Sequence, residues 1–112
     1  MSTETDPIAD LAGEVLDIVG LLEYQDGAIV SRTLVEKEHT TVTLFAVDEG
    51  QRISEHSAPH DALIHVIDGR AAITVSDEEY QPAAGEGVAI PANAPHSVHA
   101  PERFKMLLIM AR

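Results

Sequence analysis

The chain has no cysteine and no tryptophan. Without thiols there is no disulfide, no thiolate nucleophile, no zinc ribbon and no iron–sulfur cluster, so nitrogen and oxygen must hold any metal. Basic residues are scarce: Lys+Arg number 7 against Asp+Glu 19, a net charge of −12. Such a surface repels phosphate backbones and anionic lipid, which argues against nucleic acid and membrane partners. It also favours solubility, and both a halophile's protein and an ordinary acidic cytosolic one would show it. No apolar run approaches the ~18 residues a membrane span needs. The opening Met1-Ser2-Thr3-Glu4-Thr5-Asp6 is acidic where a signal peptide would be basic. A cytoplasmic protein is expected. Gly-x-Ser-x-Gly, a phosphate-binding loop and a Gly-rich dinucleotide fingerprint are missing too.

What is present is a chain of 112 residues, 45% of them hydrophobic, enough for one domain with a single core. Near the N-terminus Asp6 can cap and Pro7 suits a first helical position. Ile8, Leu11, Val15, Ile18, Val19 and Leu22 recur at helical spacing, with Asp10, Glu14 and Asp17 opposite. This spacing predicts a short amphipathic helix docked across a sheet, weakened by Gly13 and Gly20.

After the turn signal Asp26-Gly27, the pattern becomes short strands rich in β-branched residues. They are expected over residues 29–35, 40–47, 53–56, 62–67, 71–75, 88–90, 96–100 and 104–110. Many short strands with Gly/Pro links and little helix point to an antiparallel sandwich or barrel. Met106-Leu107-Leu108-Ile109-Met110 is apolar on both faces, so the last strand needs cover on both sides, from the N-terminal helix or from a second subunit. A homodimer is expected, since closed two-fold pairing is the common way to cover such strands.

Four of the six histidines fall between Gly50 and His96. Imidazole is the commonest transition-metal ligand, and loops on a rigid sheet are where sites form. Strand parity puts His56 with Ser54 on one face and Glu55 on the other. His60 follows in the loop after Pro59, and Ala62, Ile64 and Val66 share one face of the next strand with His65 on the other. His96 opens a later strand after Pro95. His65 reads as an outer-face residue, and His39 and His99 as surface histidines. Ser54 and Ser57 beside His56 lack an orienting acid for nucleophilic catalysis. Arg32 and Arg52 could reach an anionic ligand at a barrel mouth, although most such arginines are simply solvated.

Two blocks of this stretch resemble the signature motifs of the cupin family, small β-barrels of jelly-roll type. Gly50, His56 and Gly69 fall on the first Gly, first His and last Gly of the first motif. Gly85, Pro91 and His96 match the second, with Asn93 where the family has Gly. The resemblance spans roughly residues 30–110 and implies an all-β fold: a small antiparallel barrel (residues 29–112) preceded by an N-terminal segment (1–28) that carries the helix. The departures bear on chemistry. Ala58 replaces the second His of the first motif and Ala62 its Glu, so His56 and His96 remain of the four customary ligands. His60 is the candidate third ligand, and Asp61 an alternative carboxylate.

Two readings follow. In one, His56, His60 and His96 hold Fe, Mn, Ni, Cu or Zn, and the barrel acts on a small oxygenated molecule in a pocket lined by Ile64, Val66, Val88 and Val98. The resemblance implies dioxygenase, isomerase or lyase chemistry for such a site, and no organic cofactor. In the other, the site is degenerate and metal-free, and the chain is a ligand-binding or scaffold barrel without turnover.

Overall fold

A computed structural model describes residues 6–112, and Met1 to Thr5, the start of the acidic N-terminus, lie outside the described residues. The β-branched runs form strands as their composition demands: β1 (Ile29–Glu36), β2 (Thr40–Val47), β3 (Arg52–His56) and β4 (Asp61–Gly69). They are followed by β5 (Ala72–Val75), β6 (Glu78–Tyr80), β7 (Gly87–Ile90), β8 (His96–His99) and β9 (Phe104–Ala111). Two antiparallel sheets result, one ordered β1-β2-β9-β4-β7 and the other β3-β8-β5-β6. The all-β architecture expected from the sequence is the one observed.

Inner-facing rows of the larger sheet run straight across it. Phe45, Met106 and Val66 pair in sequence, as do Thr43, Leu108, Ile64 and Val88. They pack against Ile73, Val75, Val98 and Ile53 of the smaller sheet to form the main core. The chain leaves β4 through Gly69, whose φ is +70°. A Cβ there would lie 2.0 Å from the carbonyl oxygen of Arg103, so only glycine fits between β4 and β9.

One strand escaped the sequence reading. The acidic stretch after Val75 reads as a polar link, but Ser76 and Asp77 take φ of 48° and 72°, a two-residue turn of the kind that matches strand twist. Glu78 then pairs back onto Val75 to make β6. Ser-Asp is a weak signal for that turn beside Asn-Gly, which is why it was missed.

The expected N-terminal helix is a correction. Among the described residues only two short 3-10 turns form there, Pro7–Asp10 and Val19–Leu21. Asp6 caps the first through the Ile8 amide, but Gly13 at φ +82° breaks helical geometry one turn later. The inward residues therefore change. Leu11, Leu16, Leu21 and Leu22 pack on Leu34, Val42, Leu44, Ile67 and Leu107, whereas Val15 stands at 102% exposure. The second cover for β9 comes from this segment, in an irregular form.

Polar clasps hold it there. Tyr24 donates its hydroxyl hydrogen to Asp68 at 2.5 Å, and burial with that contact pushes its acidity well below that of a free phenol. Lys105, only 6% exposed, donates to the Val19 carbonyl at 2.6 Å and lies 4.8 Å over the Tyr24 ring. Arg103 bonds Asp48 at 2.7 Å and Asp26 at 2.5 Å, and Asp48 also accepts the Gly27 amide at 2.6 Å. The Gly27 amide first, and Arg103 after it, hold the Asp48 carboxyl below its ordinary value of 3.8.

A carboxyl depressed in the folded chain binds its proton more readily when unfolded, so its stabilisation is complete above the ordinary value and is lost as pH falls through the depressed one. In urea unfolding followed from neutral pH to about pH 3, the wild-type midpoint should therefore fall towards that of Asp48→Asn. A constant gap between the two across that range would show that the clasp carries no such linkage.

Candidate functional site

His56 and His96 come together. They are register partners at the end of the β3–β8 ladder, with ring centroids 4.2 Å apart and planes tilted by 58°. His96 is buried and His56 is exposed, so the pair sits where the interior meets solvent.

Regular alternation would not place them so. Ile53 faces inward opposite Val98, and three residues later His56 should face outward. A register shift between Ile53 and His56 absorbs one residue against the partner strand, so both land on the inward face. The bulge at Ser54-Glu55 thus aims His56, a known use of bulges. The sequence reading grouped His56 with Ser54 by simple parity, and the bulge replaces that grouping.

The two rings are held alike. Nδ1 of His56 lies 2.9 Å from the carbonyl of Ser54, and Nδ1 of His96 lies 2.9 Å from the carbonyl of Ala94. A carbonyl only accepts, so each Nδ1 carries the hydrogen and each neutral ring keeps its Nε2 lone pair free. Both contacts reach two residues back along the chain, a consequence of local backbone shape and not of any sequence motif.

The loops bearing these histidines are laced together. Asn93 takes φ +68°, the left-handed turn that its motif position calls for, and its amide donates to the Ala58 carbonyl at 2.7 Å. Asp61 accepts the Ala92 amide at 2.8 Å. The carboxylate considered as a metal ligand therefore serves as a clamp between the loops.

His60 sits half-buried in the β3–β4 connection. Among the described residues no group of three or more His, Asp or Glu side chains converges as a metal centre. Ala58 and Ala62 offer no donor at the remaining family positions. Two imidazoles fall short of the three or four protein ligands of a resident catalytic metal, so the donor set does not fit one. Ile64, Val66 and Val98 lie in the packed core, with half-buried Val88 against it. Val88 also lines a groove of about 530 Å³ with Val75, Ser76, Glu78, Tyr80 and Pro91, at the seam between the β5–β6 hairpin and β7. Val75 pairs with His96, so this groove adjoins the histidine pair.

Comparison with known proteins agrees with the fold. A family model described as Cupin domain matches residues 43–110. An uncharacterized protein of Streptomyces coelicolor is 33% identical over 87 residues, covering 77% of this chain and 81% of its own. The crystal structure of a conserved protein of unknown function from Streptococcus pyogenes superposes with a TM-score of 0.85 at 37% identity, covering 89% of this chain and 88% of the other. A cupin superfamily protein from Desulfitobacterium hafniense gives 0.84 at 26% identity, covering 88% and 91%.

Deleting Glu55 removes the extra residue and leaves His56 two positions after Ile53, where regular alternation keeps it inward beside His96. The cross-peak between the His56 and His96 ring protons should therefore persist in the NMR spectrum of the deletion variant. Its loss, with core methyl signals unchanged, would show that the pairing needs the bulge's own geometry and not the parity count.

Proposed function

The chain belongs to the cupin family, and on that premise we propose that it is a binding barrel for a small hydroxylated molecule, recognised by the paired imidazoles of His56 and His96. The observation that carries this is the pair of Nδ1–carbonyl contacts, which leaves an Nε2 acceptor on each of two neighbouring rings at the edge of an apolar interior. Sites of this kind fix orientation with a few polar groups and supply the rest of the affinity from apolar walls. Hydroxyl groups of the ligand donate to the two nitrogens. No carboxylate is bonded to either ring among the described residues, so no proton relay is derived.

A second reading has an observation of its own. An Nδ1–H pinned by a backbone carbonyl is the outer support that metal-bound histidines ordinarily have. On this reading a divalent transition metal is held by the two Nε2 atoms, and an incoming ligand completes the set.

The two are separated by thermal-shift titration of wild type and His96→Ala against polyols, sugars and hydroxy acids, with and without EDTA. A stabilising compound that works in EDTA and fails in the variant supports direct recognition. One that needs added Zn(II), Ni(II) or Mn(II) supports the metal. Compounds that stabilise both proteins equally would remove the histidine pair from the function.

The reading extends to a pair of chains. On the outer face of the larger sheet Leu63, 43% exposed, lies beside half-buried Ile109, away from the N-terminal segment's leucines. Burying this patch against a second copy covers it by two-fold symmetry. Light scattering should give a dimer's mass for wild type and a monomer's for Leu63→Glu, and a wild-type monomer at micromolar concentration would end the idea.

A further inference from the structure

The smaller sheet carries a second concave feature on its outer face, on the reverse of the strands that hold the histidine pair. A furrow of about 580 Å³ is bordered there by Arg52, Glu55, Ala72, Thr74, Glu79, Ser97 and His99, and it also touches Ser54 and the inward-facing positions Ile53 and Val98. Its rows follow from the register. Arg52, His99 and Ala72 pair across three strands, and Ser97, Thr74 and Glu79 form the next outward row. The furrow lies where the central strands present the small side chains Ala72, Thr74 and Ser97 between Arg52 on one edge strand and Glu79 on the other, with His99 beside Arg52.

The polar groups here are not spent on holding the fold. Lys37, Arg70, Arg103 and Lys105 each bond a partner. Arg52 has no ion pair or side-chain hydrogen bond among the described residues, and neither have Thr74, Ser97 or Glu55. Among the described residues Glu79 meets only Gln81, at 3.2 Å. Both signs line the furrow: Arg52 and, three residues on, Glu55 stand on one edge strand, and Glu79 on the other, three inter-strand spacings of about 4.8 Å away.

We infer that this furrow is a binding site for a small extended zwitterion, its carboxylate on Arg52 and His99 and its ammonium on Glu79. The intervening chain would lie over Ala72, with the Thr74 and Ser97 hydroxyls beside it. A simple anion would leave Glu79 unanswered on a chain of net charge −12. A simple cation would meet Arg52. A molecule bearing both charges, held apart, satisfies both ends, and Arg52 can take its carboxylate in a bidentate fork. This inference is independent of what the histidine pair binds.

The test is a titration of the full chain, followed by amide NMR, with γ-aminobutyrate, δ-aminovalerate and ε-aminocaproate, and with butyrate and butylamine as single-charge controls. One or more of the amino acids should shift the amides of Ala72, Thr74, Ser97 and His99, and neither control should match it. Arg52→Gln and Glu79→Gln should each weaken binding about tenfold or more, the loss expected for a charge-assisted contact. Thr74→Leu, which fills the floor and leaves both charges, should abolish it. Equal shifts by butyrate or butylamine, undiminished binding in the charge variants, or no shift with any amino acid would overturn the proposal.

Discussion

The structure depends on the burial of β9 on both faces. Its ladder partners β2 and β4 hold it in the middle of the larger sheet, with Phe104, Met106 and Leu108 turned to the core. Its other face carries Leu107 and Lys105, which water would penetrate if nothing lay over them. The N-terminal segment supplies that cover with Leu11, Leu16, Leu21 and Leu22, and no long helix is needed to do it. Burial of Lys105 is tolerable because a carbonyl and an aromatic face receive its charge. The clasps from Tyr24 and Arg103 are what keep an irregular segment in one place, since it has little backbone bonding of its own.

A rigid larger sheet fixes the smaller one, and that in turn fixes the two histidines. Their loops are joined by the Asn93 and Ala92 amides, so the rings cannot separate without breaking hydrogen bonds at the loop tips. The result is a pair of imidazoles in one tautomer with free Nε2 atoms. Relative to the four-ligand pattern of the family motifs, two donors have become alanines and the adjacent carboxylate has become a loop clamp. Recognition of a ligand by two nitrogen acceptors needs nothing further from the chain, whereas a resident metal would.

Much of this was legible in residue order. Strand placement followed the β-branched runs, and β2 was located end to end because Thr40–Val47 is bounded by a polar link and by Asp48-Glu49-Gly50. The glycines and Asn93 of the two motif blocks marked turns that do take positive φ. What failed had a physical cause in each case. The helical stripe from Ile8 to Leu22 was genuine in its spacing, but a left-handed Gly13 and the leucine sockets on the sheet outweighed helical propensity. Strand β6 was hidden by its charge, because a solvated strand of Glu78, Glu79 and Tyr80 has no apolar alternation to show.

The sequence by itself determined the fold class, the family blocks and, through the resemblance, the candidacy of His56 and His96, because alternation, turn residues and motif spacing are properties of residue order. It also determined that donors are missing, since Ala58 and Ala62 are visible as letters. Tertiary structure alone decided the facing of His56, the fate of Asp61 and the furrow behind the histidine strands. Each depends on which strand lies opposite which: a bulge is defined only by its partner, a carboxylate's role by the amide that reaches it, and a furrow by side chains brought together from strands far apart in the chain.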